Sequence, residues 1–144
     1  MVRKNMGIFK TTIMAVMAVV TIMLGSCSAS KNATAGGSVE GNWAITEACG
    51  TSTAKGMNPA EITFEKGGKM HGNASVNNFF GDYTLSGNKL QLKNMGMTMM
   101  LGEHMEIERA VNEALNSTAM VSVKGNEATV TDSNGKVVMR LKRK

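Results

Sequence analysis

Residues 71–105 read HGNASVNNFFGDYTLSGNKLQLKNMGMTMMLGEHM, and the way apolar residues alternate through them decides the fold class. Phe79 and Tyr83 stand at strand spacing, and Leu85 leads into the turn Ser86-Gly87-Asn88. Leu90 and Leu92 then alternate on the far side, which predicts an antiparallel hairpin, since Gly and Asn accept the positive φ of a tight turn. The same period runs outward in both directions. Upstream, Trp43 and Ile45 alternate with polar neighbours, Ile62 and Phe64 do likewise, and Gly67-Gly68 makes a turn before Lys69 and Met70. Pro59 sits in the loop before Ile62, where it breaks no ladder. Downstream, Val121 and Val123, Ala128 and Val130, and Val137, Met139 and Leu141 are separated by the turns Lys124-Gly125-Asn126 and Asp132-Ser133-Asn134-Gly135.

One stretch has a different period. In residues 103–116, Ile107, Ala110, Val111, Ala114 and Leu115 fall at helical spacing. Glu103, Glu106 and Glu108 lie where the positive end of a helix dipole favours them, and Asn116 is the expected stop. Many short strands, Gly-rich turns and one inserted helix predict a mainly β (α+β) domain, a small antiparallel sheet curling toward a barrel.

The start of the chain has another character. Arg3, Lys4 and Lys10 precede an apolar run from Thr11 to Leu24, shorter than the roughly 20 residues that span a bilayer. Leu24-Gly25-Ser26-Cys27 follows, a lipobox whose thiol can take a diacylglyceryl group. Residues 1–26 are thus expected to be a lipoprotein signal peptide. Residues 27–39 are expected to be the lipidated Cys27 and a flexible tether, because SASKNATAGGS is small and polar. Residues 40–144 form the expected domain. Ser28 follows Cys27 in place of the Asp that retains many lipoproteins in the inner membrane, so the expected location is the outer membrane, facing the periplasm.

The net charge of +5 overstates the basicity of what remains. Three of the 16 Lys and Arg residues precede Cys27, which leaves 13 against 11 Asp and Glu. Near balance, with aromatics not interleaved with bases, argues against nucleic-acid binding. Arg140, Lys142, Arg143 and Lys144 read as a solvated basic terminus. With Cys27 lipidated, Cys49 has no intramolecular partner, so no internal disulfide is expected.

The order of residues in 71–105 resembles the signature of the META domain, the family that includes the HslJ-like heat-shock lipoproteins. Asn77, Phe79, Gly81 and Tyr83 match its G-C-N-x-F-x-G-x-Y segment, and Thr98 and Met100 match its T-x-M-x-C segment. Trp43, the acidic helix start and the closing strands agree in order. The resemblance implies a cell-envelope or stress-related role without a defined substrate. Three positions depart from it: Ser75 stands for the Gly, Val76 for the first Cys and Gly102 for the second. Because both cysteines are replaced together, their positions are expected to face each other. A redox role for that pair does not carry over. The six matching residues read as structural, with Gly81 suited to a bulge and Asn77 to a backbone-bonding turn.

Catalysis has little to stand on. A cysteine enzyme would need Cys49 beside His71 or His104, and no phosphate loop, nucleophile motif or carboxylate pair is present. The expected function is binding, without cofactor or resident metal, by a monomer whose partners are the membrane through its lipid and an envelope protein. Two alternatives follow from other features. Met95, Met97, Met99, Met100 and Met105 cluster beside His104, with Met95, Met97 and Met99 expected on one strand face, a soft donor set for copper(I). A barrel with an open interior would instead suit a hydrophobic-ligand carrier.

Overall fold

The computed structural model describes residues 37–144. The expected signal peptide, Cys27 and most of the expected tether lie outside the described residues. Nine strands and one helix follow in order: β1 (Gly41–Ala48), β2 (Thr51–Ser52), β3 (Glu61–Phe64), β4 (Lys69–Asn73), β5 (Asn78–Ser86), β6 (Lys89–Met97), α1 (Met105–Ser117), β7 (Met120–Lys124), β8 (Glu127–Thr131) and β9 (Val137–Arg143). Every pairing is antiparallel, and β9 returns to β1, with Ile45 opposite Leu141 and Ala48 opposite Met139. Eight strands therefore close a barrel, while the two-residue β2 extends the edge of β1 beyond β3. The curling sheet expected from the alternation is a closed one.

The interior is filled by the residues that alternate inward. Trp43, Ile45, Ile62, Phe64, Met70, Phe79, Leu90, Val121, Val130, Met139 and Leu141 are buried. Phe64 and Tyr83 meet edge to face, with ring centroids 5.0 Å apart. Aromatic and aliphatic side chains occupy the space that a carried ligand needs, which removes the basis of the carrier reading.

Turns alternate between the two ends of the barrel. The end holding Gly41, the 65–68 and 86–89 turns and Arg143 receives the chain from residue 37. The opposite end carries the loop from Cys49 to Ala60, the turn 74–77 and α1, which lies against β1, β2 and β9. The helix is inserted between β6 and β7, and those strands meet narrowly. Lys89 opposite Met120 is their one ladder pair, supported by Leu90 N–H to Ala119 O at 2.9 Å and Val121 N–H to Asn88 O at 2.8 Å.

Two sequence expectations change here. The helix begins at Met105, so Glu103 lies ahead of it, and it ends at Ser117 rather than Asn116. His104 occupies the capping position with φ of 54°, in the left-handed region. The basic tail is not a free terminus: Arg140, Lys142 and Arg143 belong to β9, and Lys144 bonds to Glu61. Arg143 lies over the Trp43 ring, 4.1 Å from its centroid. Its guanidinium donates to Glu40 O and Ser38 O, both at 2.9 Å, while Trp43 Nε1–H donates to Val39 O at 2.7 Å. Val39 is buried in consequence, so the folded unit takes in residues ahead of Glu40.

Removing the guanidinium leaves two carbonyls and an aromatic face without their cation. Arg143→Ala is expected to lower the unfolding free energy by about 1–3 kcal/mol, measured by urea denaturation, with Arg143→Lys recovering only part because its ammonium lacks the planar fork.

Candidate functional site

The helix end of the barrel is organised by two buried polar side chains. Glu108 is only 5 % exposed, and its Oε2 accepts from the backbone N–H of Val76 at 3.0 Å and of Asn77 at 3.2 Å. Glu108 lies in the first turn of α1, as expected, and in addition is buried beneath the 74–77 turn. Glu106 serves the helix dipole: the helix's own first-turn N–H, then His104, hold its carboxyl below the usual range. The second oxygen of Glu108, Oε1, is buried with no partner among the described residues.

Asn77 works in the other direction. Its Oδ1 accepts from Met100 N–H at 2.6 Å and from Thr98 Oγ1–H at 2.9 Å, while its Nδ2 donates to Met100 O at 2.9 Å. The segment after β6 is thereby fastened to the 74–77 turn. That turn holds Ser75 at φ 108°, a conformation favouring the glycine for which Ser75 stands. Ser75 is held there by its surroundings. Its Oγ accepts from Met57 N–H at 2.9 Å, and its carbonyl accepts from Asn58 N–H at 3.1 Å and Asn58 Nδ2 at 2.7 Å.

The remaining motif residues line the barrel wall. Phe79 and Tyr83 are buried, and Tyr83 Oη–H donates to Glu65 O at 2.8 Å. Gly81 sits at the register shift between β5 and β6, where a Cβ would stand 2.8 Å from Lys93 O. The positions of the two replaced cysteines do face each other. A Cβ on Gly102 would lie 2.8 and 3.0 Å from the methyl groups of Val76, so valine fills the space that a second side chain would need.

The methionines divide. Met95 and Met97 turn inward and are half-buried against the core. Because β6 ends at Met97, Met99 does not share their face, contrary to the expected strand pattern. Met99 is 92 % and Leu101 93 % exposed, and Met57, Met100 and Phe80 are exposed as well. Between this segment and α1 lies a cleft of about 240 Å³, lined by Met97, Met99, Met100, Met105, Glu108 and Arg109, among others. His104 is outside it, bonded through Nδ1 to Glu106 Oε1 at 3.1 Å. Sequence reasoning missed Glu108, Met57 and Arg109 as parts of this end.

Cys49 is not assembled with a histidine. His71 pairs with Glu65 at 3.0 Å, and the charged neighbours of the thiol are Glu113, Lys136 and Asp132. Burial, followed by Glu113, holds the thiol above its ordinary pKa, the opposite of an activated nucleophile.

A family model described as META domain matches residues 37–144. Among solved structures, one determined by NMR superposes with a TM-score of 0.58 at 24 % identity, covering 72 % of this chain and 88 % of its own. A second NMR structure, from Burkholderia xenovorans, has a TM-score of 0.58 at 23 % identity, covering 73 % of this chain and 82 % of its own. These likenesses show the fold. No curated protein matches the chain.

Glu108→Ala leaves two buried N–H groups without an acceptor and is expected to cost about 2–4 kcal/mol in urea unfolding, whereas Glu108→Gln keeps an acceptor oxygen and costs less. Val76→Cys with Gly102→Cys is expected to close a disulfide, seen as a mass loss of two hydrogens and a gain of about 3 kcal/mol over the reduced form.

Proposed function

The chain belongs to the META domain family, and on that footing we propose that it is a lipid-anchored binding protein of the cell envelope, without catalytic activity, tied to the outer membrane through Cys27 and facing the periplasm. The observation that carries the reading is the exposed apolar segment Met99-Met100-Leu101, flanked by Met57 and fixed at its root by Asn77. Leucine and methionine at more than nine-tenths exposure are costly to leave in water unless something covers them. Unbranched thioether side chains adapt to a partner's surface, and a rigid root limits the ordering that binding must impose.

Location supports the same reading. The chain reaches the barrel at the end holding Gly41 and Arg143, while the methionine segment stands at the opposite end. A lipid on Cys27 would therefore leave the apolar segment free to point away from the bilayer, toward periplasmic proteins. The stress-related part of the role is drawn from the family. A second reading, copper(I) held by thioethers, is favoured by one feature: Met97, Met99, Met100 and Met105 line a single cleft.

Labelled palmitate is expected in the wild-type protein and absent from Cys27→Ala. In crosslinking pull-downs from envelope extracts, Met99→Glu with Leu101→Glu is expected to cut recovery of the specific partner by about tenfold, an effect of order 1.4 kcal/mol. Undiminished recovery, or recovery that requires added copper(I), overturns the protein-binding reading.

A further inference from the structure

The barrel has a gap that its own strands do not fill. β6 runs to Met97, yet β7 pairs with it only at Lys89, so residues 91–97 carry a ladder on one side alone. Hydrogen bonding alternates along an antiparallel strand. Since Leu90 N–H points to Ala119 O on the β7 side, the N–H and carbonyl of Leu92 point the same way, ahead of the start of β7 and toward the C-terminal end of α1. The edge is stepped at a bulge on β6, where Asn94 has φ of 51° and Lys93 to Gly96 face Asp82 to Phe80. It offers a strand template in two short runs, Leu92 before the bulge and Met95 to Met97 after it, and an added strand must match that step.

The side chains along this edge are equally incomplete. Leu92, Met95 and Met97 turn inward but remain half-buried, whereas Phe79 and Tyr83, opposite Met97 and Leu92 on β5, are buried. At the far end of the edge, the cleft separates Met97 from Arg109 and Asn112 of α1. An added strand at the usual spacing of about 4.8 Å would place alternate side chains over this apolar strip and its last ones in the cleft. Charge sorts the occupants. Lys89, Lys93 and Arg109 are exposed and enter no ion pair among the described residues.

We propose that residues 91–97 of β6 accept an extended, acidic segment of a partner protein as an additional strand, its inward apolar side chains covering Leu92, Met95 and Met97. The proposal rests on the binding reading above and names how the partner is held. Main-chain bonds supply affinity, alternate apolar side chains supply register, and carboxylates on the outer face meet Lys93. A second copy is a poor occupant, because antiparallel pairing of two 91–97 edges sets Lys93 of each chain diagonally beside Lys93 of the other. The chain's own residues 28–36, SASKNATAG, offer no apolar alternation and no acid.

The test uses the isotope-labelled protein from residue 27 on, carrying Cys27→Ala, and a synthetic peptide of alternating valine and glutamate as long as the edge. Amide resonances of residues 91–97 should shift, hydrogen exchange at the Leu92 amide should slow about tenfold, and a valine-lysine peptide should bind about tenfold more weakly. Lys93→Glu should reverse that preference. Leu92→Pro, tolerable where the lost N–H faces the open side, should abolish binding, and if it fails to fold, Lys93→Glu alone decides. No shift up to about 1 mM peptide, equal binding of both peptides, or dimers protecting 91–97 without peptide would overturn the proposal. Shifts confined to Met99–Leu101 overturn the strand addition while leaving the apolar surface reading in place, which the Met99 and Leu101 variants test separately.

Discussion

The carboxylate of Glu108 is the contact on which the helix end of the barrel depends. A helix inserted between two strands interrupts their ladder, and something other than that ladder must fix it to the sheet. Here one oxygen takes the N–H groups of Val76 and Asn77, tying α1 to the turn between β4 and β5. Asn77 then passes the constraint on, because its side chain holds Thr98 and Met100 in the segment that leads back into the helix. Turn, loop and helix form a closed circuit of hydrogen bonds in a low-dielectric setting, where each bond is strong and each unpartnered group costly.

The family signature reads differently once this circuit is in view. Glycine and cysteine at the positions of Ser75 and Val76 are local solutions to a tight turn and to a small space beneath a loop. This chain solves both with other side chains. Ser75 keeps the positive φ, with Met57 and Asn58 bonding to its hydroxyl and carbonyl, and Val76 takes the volume left by a glycine at 102. Val76 and Gly102 therefore form one packed pair, the side chain of the first occupying the space beside the second. Cys49, half-buried and with its thiol held protonated, takes no part in it.

Much of the fold was legible because alternation and turn residues are local signals. Trp43 and Ile45, Leu90 and Leu92, and the turns at Gly87, Gly125 and Gly135 all pointed to antiparallel strands, and the spacing of Ile107 to Leu115 marked the helix and its buried face. What escaped depends on neighbours distant in sequence. Glu108 flanks the apolar stripe and resembles any solvated acid until Val76 and Asn77 arrive beneath it. Arg143 looked like tail charge because its partners, Trp43, Ser38 and Glu40, lie at the other end of the chain. The methionine pattern misled for a different reason: alternation continues past Met97, but the ladder does not, since Asn77 captures the hydroxyl of Thr98 and the backbone of Met100.

The seam between β1 and β9 bears on how the domain responds to mechanical load. β1 is hydrogen-bonded on both flanks, to β3 over Gly41–Ala44 and to β9 from Trp43 to Ala48, and Arg143 grips the residues immediately ahead of it. Tension applied at Gly37 passes the Arg143 clamp and then loads β1. Shear along a strand strains its flanking bonds together, whereas peeling from an end breaks them one after another. A barrel drawn from this terminus thus meets the pull at its most cross-bonded strand, while the β6–β7 join, with its single ladder pair, lies off the line of force.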